Sequence, residues 1–438
     1  MNTRNVTPRM KPLSARKSAI LCALDVGTSK IVCLVARLMP IESSDTLRGR
    51  THRCKILGIG HQRSRGIKGG AVVDMDEAEQ AIRLTVDAAE RMAGVQVESV
   101  LVNVTGGRLA STHYNANINV GGDSVDSGDV HRVLEAAAAQ TARQGQAVLH
   151  SLPTGFSLDA TRGIRDPKGM IGDKLGADMH VVGCDAAATR NLMLAIERCH
   201  LDVEAMVATP YASGLSALVD DEADMGTVLI DLGGGTTSIG VFSGERIVHV
   251  DAFAVGGNHV TMDVARGLTI RLTDAERLKT LYGSCIASTS DEREAIAITQ
   301  VGEDGDHAHH VPKSHLVRIV RPRVEEILEL VRDRLKAAGL APGVRQRVVL
   351  TGGACQLTGM PEAARRILNS QVRIGRPLGI QGLPESAKSP AFSASLGLLI
   401  YPQVAGIEHF EPRRSNVMKG TGTDGYISRV GRWLRESF

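Results

Sequence analysis

Residues 225–242 read MGTVLIDLGGGTTSIGVF. An apolar run stops at Asp231, three adjacent glycines follow (Gly233, Gly234, Gly235), then two hydroxyls (Thr236, Thr237), and the apolar run resumes. This is the pattern of strand, tight turn, strand. Adjacent glycines lose ordering entropy and weaken a sheet, so at this place they mark the close approach of a ligand or of another backbone. Bare amides and hydroxyls suit phosphate oxygens, and Asp231 can hold a magnesium ion through its waters.

The same plan occurs about half a chain earlier, in LDVGTSKIV from Leu24. Gly27 lets an amide approach an anion, Thr28 and Ser29 can donate to it, Lys30 adds a point charge, and Asp25 is placed as Asp231 is. Alone, this stretch also fits an ordinary hairpin turn. The repetition suggests two related halves with a ligand in the cleft between them. A third apolar strand ends at Gly352, Gly353 and Ala354 and leads into a helix, where a base or ribose can lie flat on bare backbone. Between the second and third turns, DAERLKTLYG puts Glu276 and Lys279 on one helix face, to reach a nucleoside or simply to pair with each other.

Outward from these turns the chain alternates strands and helices. THRCKILGIGHQRS reads as a strand, and DMDEAEQAIRLTVDAAERMAG as an amphipathic helix capped by Asp76 and ended by Gly94. VESVLVNVTGG, STHYNANINV, a helix over about 127–143 and QAVLHSLPTGFSLD make a small inserted α+β unit. Residues 264–340 read as mostly helical. They are interrupted by VGEDGDHAHHVPKSH, whose His307, His309, His310 and His315 read as a polar insertion, since no thiol or fixed helical spacing accompanies them.

The 438 residues exceed one core, and the net charge of +3 gives no basic field for nucleic acid. Seven cysteines, odd in number and without a CxxC pair, read as buried thiols of a reducing compartment. The basic start, residues 1–17, meets Asp25 too soon to be a signal peptide and reads as a disordered cytosolic arm. The longest uncharged run, Ser389 to Ile407, holds two prolines and several serines and is a poor bilayer span.

In their order and spacing, LDVGTSKIV, IDLGGGTTSIGVF and VLTGGACQLTGM resemble the phosphate-one, phosphate-two and adenosine motifs of the actin, sugar kinase and heat-shock chaperone ATPase superfamily. Within it the chain is similar to the bacterial cell-division FtsA family over nearly all of residues 18–438, including SRGIKGG, AIERCHLDVE, QVRIGRPLGI and WLRESF. The resemblance implies an α/β, actin-like (ribonuclease H-like) two-lobed fold with an inserted α+β subdomain and a C-terminal amphipathic helix. The implied division is a first lobe at 18–96 and 178–222, an insert at 97–177, a second lobe at 223–262 and 341–401, a helical subdomain at 263–340, a linker at 402–424 and a terminal helix at 425–438.

The resemblance further implies that ATP and Mg2+ occupy the cleft. Asp25, Gly27, Thr28, Ser29 and Lys30 would face Asp231 and Gly233 through Thr237. Gly256, Gly257 and Asn258 would lie next to the phosphates, and Glu276, Lys279, Gly352, Gly353 and Ala354 at the nucleoside. Family members polymerise and link filaments of the tubulin-like FtsZ to the cytoplasmic face of the inner membrane at the division site, with other divisome proteins. The FtsZ C-terminal peptide docks on the helical subdomain, where Arg318, Arg321 and Arg323 can meet an acidic peptide or form a solvated face. No clear general base is present, so at most slow ATP hydrolysis is expected. A small-molecule kinase on the same fold would need such a base beside a substrate pocket. A pilus-assembly relative would share the turns but not the tail.

That tail carries the only Trp of the chain. On a helix, Tyr426, Ile427, Val430, Trp433, Leu434 and Phe438 form one arc, with Arg429, Arg432, Arg435 and Glu436 opposite. At about 1.5 Å per residue the helix is roughly 20 Å long, too short to span a bilayer but suited to lie in its interface.

Overall fold

The computed structural model describes residues 7–408 except residues 11, 42–46, 48–49, 107, 142–144, 303–308, 341–342 and 344–345. The terminal helix at 425–438, residues 409–424 of the linker and His307 lie outside the described residues. The linker's expected start at 402 is corrected, since residues 402–404 end a helix. So is the disordered arm, since Met10 and Leu13 pack on the core and the Leu13 N–H donates to the Pro402 carbonyl (3.2 Å).

The Asp25 turn joins β1 (Ala19–Val26) to β2 (Lys30–Pro40) as an antiparallel hairpin, and β3 (His52–Arg63) extends it. The SRGIKGG segment folds into a miniature hairpin of β4 (Ile67–Lys68) and β5 (Ala71–Val72). In α1 (Met75–Ala93) the buried positions Ala78, Ala81, Ile82, Thr85, Val86 and Ala89 recur every three or four residues, and this stripe faces the first sheet. Its N-cap is Asp74, whose carboxylate accepts from the Glu77 N–H, and not the predicted Asp76. Asp76 instead occupies the first turn, where its charge meets the positive end of the helix dipole.

β6 (Ser99–Val104) runs parallel to β1 and belongs to the first sheet, although the sequence reading grouped it with the insert. The inserted strands are β7 (Ala110–Asn119), β8 (Gln146–Leu158), β9 (Thr161–Ile164) and β10 (Lys174–Asp185). They carry α2 (Ser127–Ala138) on an apolar core of their own, including Val133, Phe156, Leu175 and Met179. The helix stops short of the predicted residue 143 and tightens into a 3-10 turn at Ala139–Thr141. The chain returns through α3 (Ala186–Glu197), β11 (Asp202–Ala208) and α4 (Thr209–Ala217), and α5 (Asp220–Met225) leads to the second lobe.

There the Asp231 turn joins β12 (Thr227–Leu232) to β13 (Thr237–Ser243), and β14 (Arg246–Phe253) follows. The helical subdomain comprises α6 (Gly257–Leu268), α7 (Leu272–Tyr282), the hairpin β15 (Ala295–Ile298) with β16 (His309–Pro312), and α8 (Lys313–Ala337). It is followed by β17 (Arg347–Thr351), α9 (Met360–Leu368) and β18 (Gln371–Ile374). β19 (Ile380–Gln381) rejoins the first sheet beside β3, and α10 (Ser393–Val404) takes up most of the long uncharged run as a buried helix. No helix among the described residues is long and apolar enough to cross a membrane.

The first sheet orders its strands β11-β6-β1-β2-β3-β19, and the second begins β18-β17-β12-β13-β14. In each, a three-strand antiparallel meander is flanked on its first strand by two parallel strands, so the halves share one topology. Helices α4 and α10 cross between them so closely that a Cβ on Gly397 would stand 1.7 Å from the Ala212 carbonyl oxygen.

The second sheet continues from β14 into the insert through one bridging pair, Asp251 with Ala110. A buried polar knot reinforces this seam. Burial pushes the His180 imidazole down to about 3, so it is neutral. Its Nδ1 must carry the proton, since it meets the Ile247 carbonyl at 2.9 Å. Its Nε2 then accepts from the Ser111 hydroxyl (2.8 Å), which in turn accepts from the Val250 N–H (2.5 Å).

Candidate nucleotide-binding cleft

Each Asp-x-Gly turn closes on itself in the same way. The Gly27 N–H donates to the Lys30 carbonyl (3.0 Å), and the Gly233 N–H donates to the Thr236 carbonyl (2.9 Å). The two tips face each other. A Cβ on Gly235 would lie 2.6 Å from the Thr28 side chain, and one on Gly234 only 1.8 Å from Ser29 Oγ. The glycines are therefore required by the approach of the other turn.

The connecting segment lies across both. The Gly257 N–H donates to the Gly233 carbonyl (2.9 Å), the Asn258 N–H to the Gly234 carbonyl (2.7 Å), and the Ser29 hydroxyl to Asn258 Oδ1 (3.0 Å). The tip of the β4–β5 hairpin joins from the first lobe, its Gly70 N–H donating to Thr28 Oγ1 (3.2 Å).

Behind the tips sit the two acids, both buried. Asp25 accepts from Asn103 Nδ2 (2.7 Å), and Asn103 Oδ1 in turn accepts the Val26 N–H (2.8 Å). Asp231 accepts from the Ser213 hydroxyl (2.5 Å). Burial pushes both carboxyls up to about 6, against the downward pull of the Lys30 ammonium. The third turn closes the floor. Gly352 has φ +84, a conformation that favours glycine, and a Cβ there would stand 2.4 Å from Asp231 Oδ1.

To one side lies an apolar pocket lined by Gly256, Gly257, Val260, Lys279, Ala354 and Leu357. Glu276 and Lys279 meet at its rim. Lys279 Nζ donates to Glu276 Oε2 (2.7 Å), to Thr261 Oγ1 (2.9 Å) and to the Gly257 carbonyl (3.2 Å). The structure thus gathers the three glycine turns, both acids, the connecting segment and the Glu276–Lys279 pair around one cleft. The sequence reading missed Asn103, Ser213 and the hairpin tip at Gly70. Asn103 had a visible signal, one polar residue inside the apolar strand VLVNV.

A pH effect follows from the acid pair. Between about pH 4 and 6 the native chain holds more protons on Asp25 and Asp231 than the unfolded chain does. Their contribution is therefore favourable below that window and is lost as pH rises through it. Asp25→Asn is expected to stabilise the ligand-free chain by about 3 kcal/mol at pH 7.5 and by close to nothing at pH 4, as measured by urea unfolding. Equal effects at both values would contradict the burial argument.

The family model "SHS2 domain inserted in FTSA" matches residues 106–183 and "Cell division protein FtsA" matches residues 228–397. The cell division protein FtsA of Agrobacterium fabrum is 56% identical over 432 residues, covering 98% of each chain. That of Pseudomonas aeruginosa is 31% identical over 431 residues, covering 97% of this chain and all of that one. The chain belongs to the FtsA family of cell-division proteins.

Solved structures show the fold that this FtsA-family chain shares more widely. The PilM-PilN type IV pilus biogenesis complex aligns with a TM-score of 0.59 at 15% identity, over 89% of this chain and 99% of that one. MreB5 of Spiroplasma citri bound to ADP aligns with a TM-score of 0.51 at 14% identity, over 89% and 98%. The fold is actin-like, with the SHS2 insert that marks FtsA. Among the described residues, no group of three or more His, Cys, Asp or Glu side chains is arranged to hold a metal ion by itself. All seven cysteines are free thiols.

Proposed function

We propose that this protein binds ATP with Mg2+ in the cleft, polymerises, and tethers FtsZ filaments to the cytoplasmic face of the inner membrane through its terminal helix. The supporting observation is the meeting of the two glycine hairpins, Gly234 and Gly235 against Ser29 and Thr28. The donor set fits the ligand. Bare amides, hydroxyls and Lys30 suit a triphosphate. Two buried carboxylates, costly to keep charged alone, suit a hydrated divalent cation. Magnesium would neutralise phosphate charge, while Asp25 and Asp231 would hold its waters and Ala354 and Leu357 would exclude water from the base.

Calorimetry tests this reading. Titration of the full chain with ATP is expected to give saturable heat that falls sharply when Mg2+ is chelated. No heat under either condition would overturn it.

For the FtsZ peptide the charge map narrows the earlier expectation. Arg321 pairs with Glu325, and Arg323 pairs with Asp263 and Glu326, so these two are engaged within the subdomain. Arg318 is exposed. Beside α7, a pocket lined by Leu281, Tyr282 and Ile298 together with Asp274, Arg277 and Thr299 offers a mixed apolar and charged surface. A partner peptide docking here would meet apolar and charged side chains together rather than an arginine cluster on α8.

A further inference from the structure

Lys30 Nζ lies 3.5 Å from the centroid of the Phe392 ring. Phe392 ends the 3-10 turn Pro390–Phe392 at the entrance to α10, far from Lys30 in sequence. The His61 ring on β3 flanks it at 6.2 Å with a 52° tilt. The other side of the same segment is held by the third glycine turn: the Gly352 N–H donates to the Pro390 carbonyl (3.2 Å), and the Thr351 and Ser393 hydroxyls meet at 2.7 Å.

We propose that Phe392 is the positioning residue of Lys30. Its ring face holds the ammonium at the cleft, and the 389–393 segment ties this phosphate-side lysine to the turn on the nucleoside side. The inference rests on the nucleotide reading of the cleft.

A lysine on a flexible four-carbon stem beside Asp25 and Asp231 is drawn toward them. A carboxylate in contact would hold it, but would also neutralise the charge that a triphosphate needs. An aromatic face attracts the cation through its quadrupole and leaves the full charge in place. Because the ring is packed against His61 and the segment is fastened to Thr351 and Gly352, the ammonium is presented from a fixed point. The lysine is thereby pre-oriented before the ligand arrives, which reduces the ordering cost of binding.

The test uses the full chain with 13C-methylated lysines, the Lys30 resonance being assigned by its loss in Lys30→Arg. Without nucleotide, the wild type and Phe392→Tyr are expected to show that resonance shifted upfield by the ring, and Phe392→Leu to lose the shift. In calorimetry with ATP and Mg2+, Phe392→Leu is expected to bind about tenfold more weakly, while Phe392→Tyr stays within about twofold of wild type. In a Lys30→Met background, Phe392→Leu should add no further loss.

Absence of the upfield shift in the wild type would overturn the proposal. So would an equal loss from Phe392→Leu with and without Lys30, since the ring would then act by packing alone. A wild type that shows the shift but binds no ATP would overturn the nucleotide reading while leaving the Lys30–Phe392 contact standing.

Discussion

Gly235→Val is expected to weaken ATP binding by the full chain severely, by roughly a hundredfold, while leaving its fold intact. A Cβ at this position would stand 2.6 Å from both Cγ2 and Oγ1 of Thr28, and valine adds two methyl groups beyond it. The obstacle is the tip of the opposing hairpin, so neither tip can yield without widening the cleft. Overpacking of this kind costs about 1–3 kcal/mol, or roughly ten- to a hundredfold in affinity. Displacement of the Thr28 and Ser29 hydroxyls from the ligand adds to that loss. Because the clash lies across the cleft and outside the three apolar cores, the melting temperature should hardly move.

Gly155→Val is a suitable control. That glycine has nothing within 4 Å of its Cβ position and no positive φ, and its substitution should leave ATP affinity unchanged. Affinity within about threefold of wild type for Gly235→Val would remove the claim that the two hairpins grip one ligand.

Deleting residues 425–438 is expected to reduce co-sedimentation with anionic liposomes to background while ATP binding persists. Wound as the proposed helix, the deleted segment would carry Trp433, Leu434 and Phe438 on one arc and Arg429, Arg432 and Arg435 on the other. Helices of this kind bind an interface through buried apolar area plus attraction to anionic lipid. On the proposed reading a single such helix is short and Gly431 would lower its helicity, so one tail alone would bind weakly. If subunits polymerise as proposed, a row of them would present many tails, and their combined avidity would make the anchor firm. Trp433 is the only indole, so its emission reports on the tail alone. A blue shift is expected on addition of liposomes, weakening as salt screens the arginines. Equal sedimentation by the truncated chain, or an unchanged emission spectrum, would count against membrane anchoring.

Much of the fold was legible because its decisive elements are local. Asp25 through Lys30 and Asp231 through Thr237 are turns whose chemistry is written in consecutive residues, and their repetition announced the shared topology of the two sheets. What the sequence concealed is non-local. β6 looks like any apolar strand, and only its parallel pairing with β1 assigns it to the first lobe. Asn103 reaches Asp25 across 78 positions, and Phe392 reaches Lys30 from the far end of the chain. Such contacts depend on where crossovers deliver each strand. The Asp74 cap was missed for a simpler reason: two acids two residues apart both satisfy the start signal, and backbone geometry chooses between them.

The seam between β14 and β7 has a mechanical consequence. Pulled away from the second lobe, the insert has one backbone rung to break at Asp251 and Ala110, whereas β7 is laced to β10 by ten paired positions. Tension along this sheet therefore falls on that rung and on the side-chain bonds beside it, Val250 to Ser111, His180 to Ile247 and Arg246 to Pro153. Under load along this sheet the seam would yield before the ladder between β7 and β10, while Leu149, Leu152 and Val182, which share the first lobe's core, resist detachment of the insert.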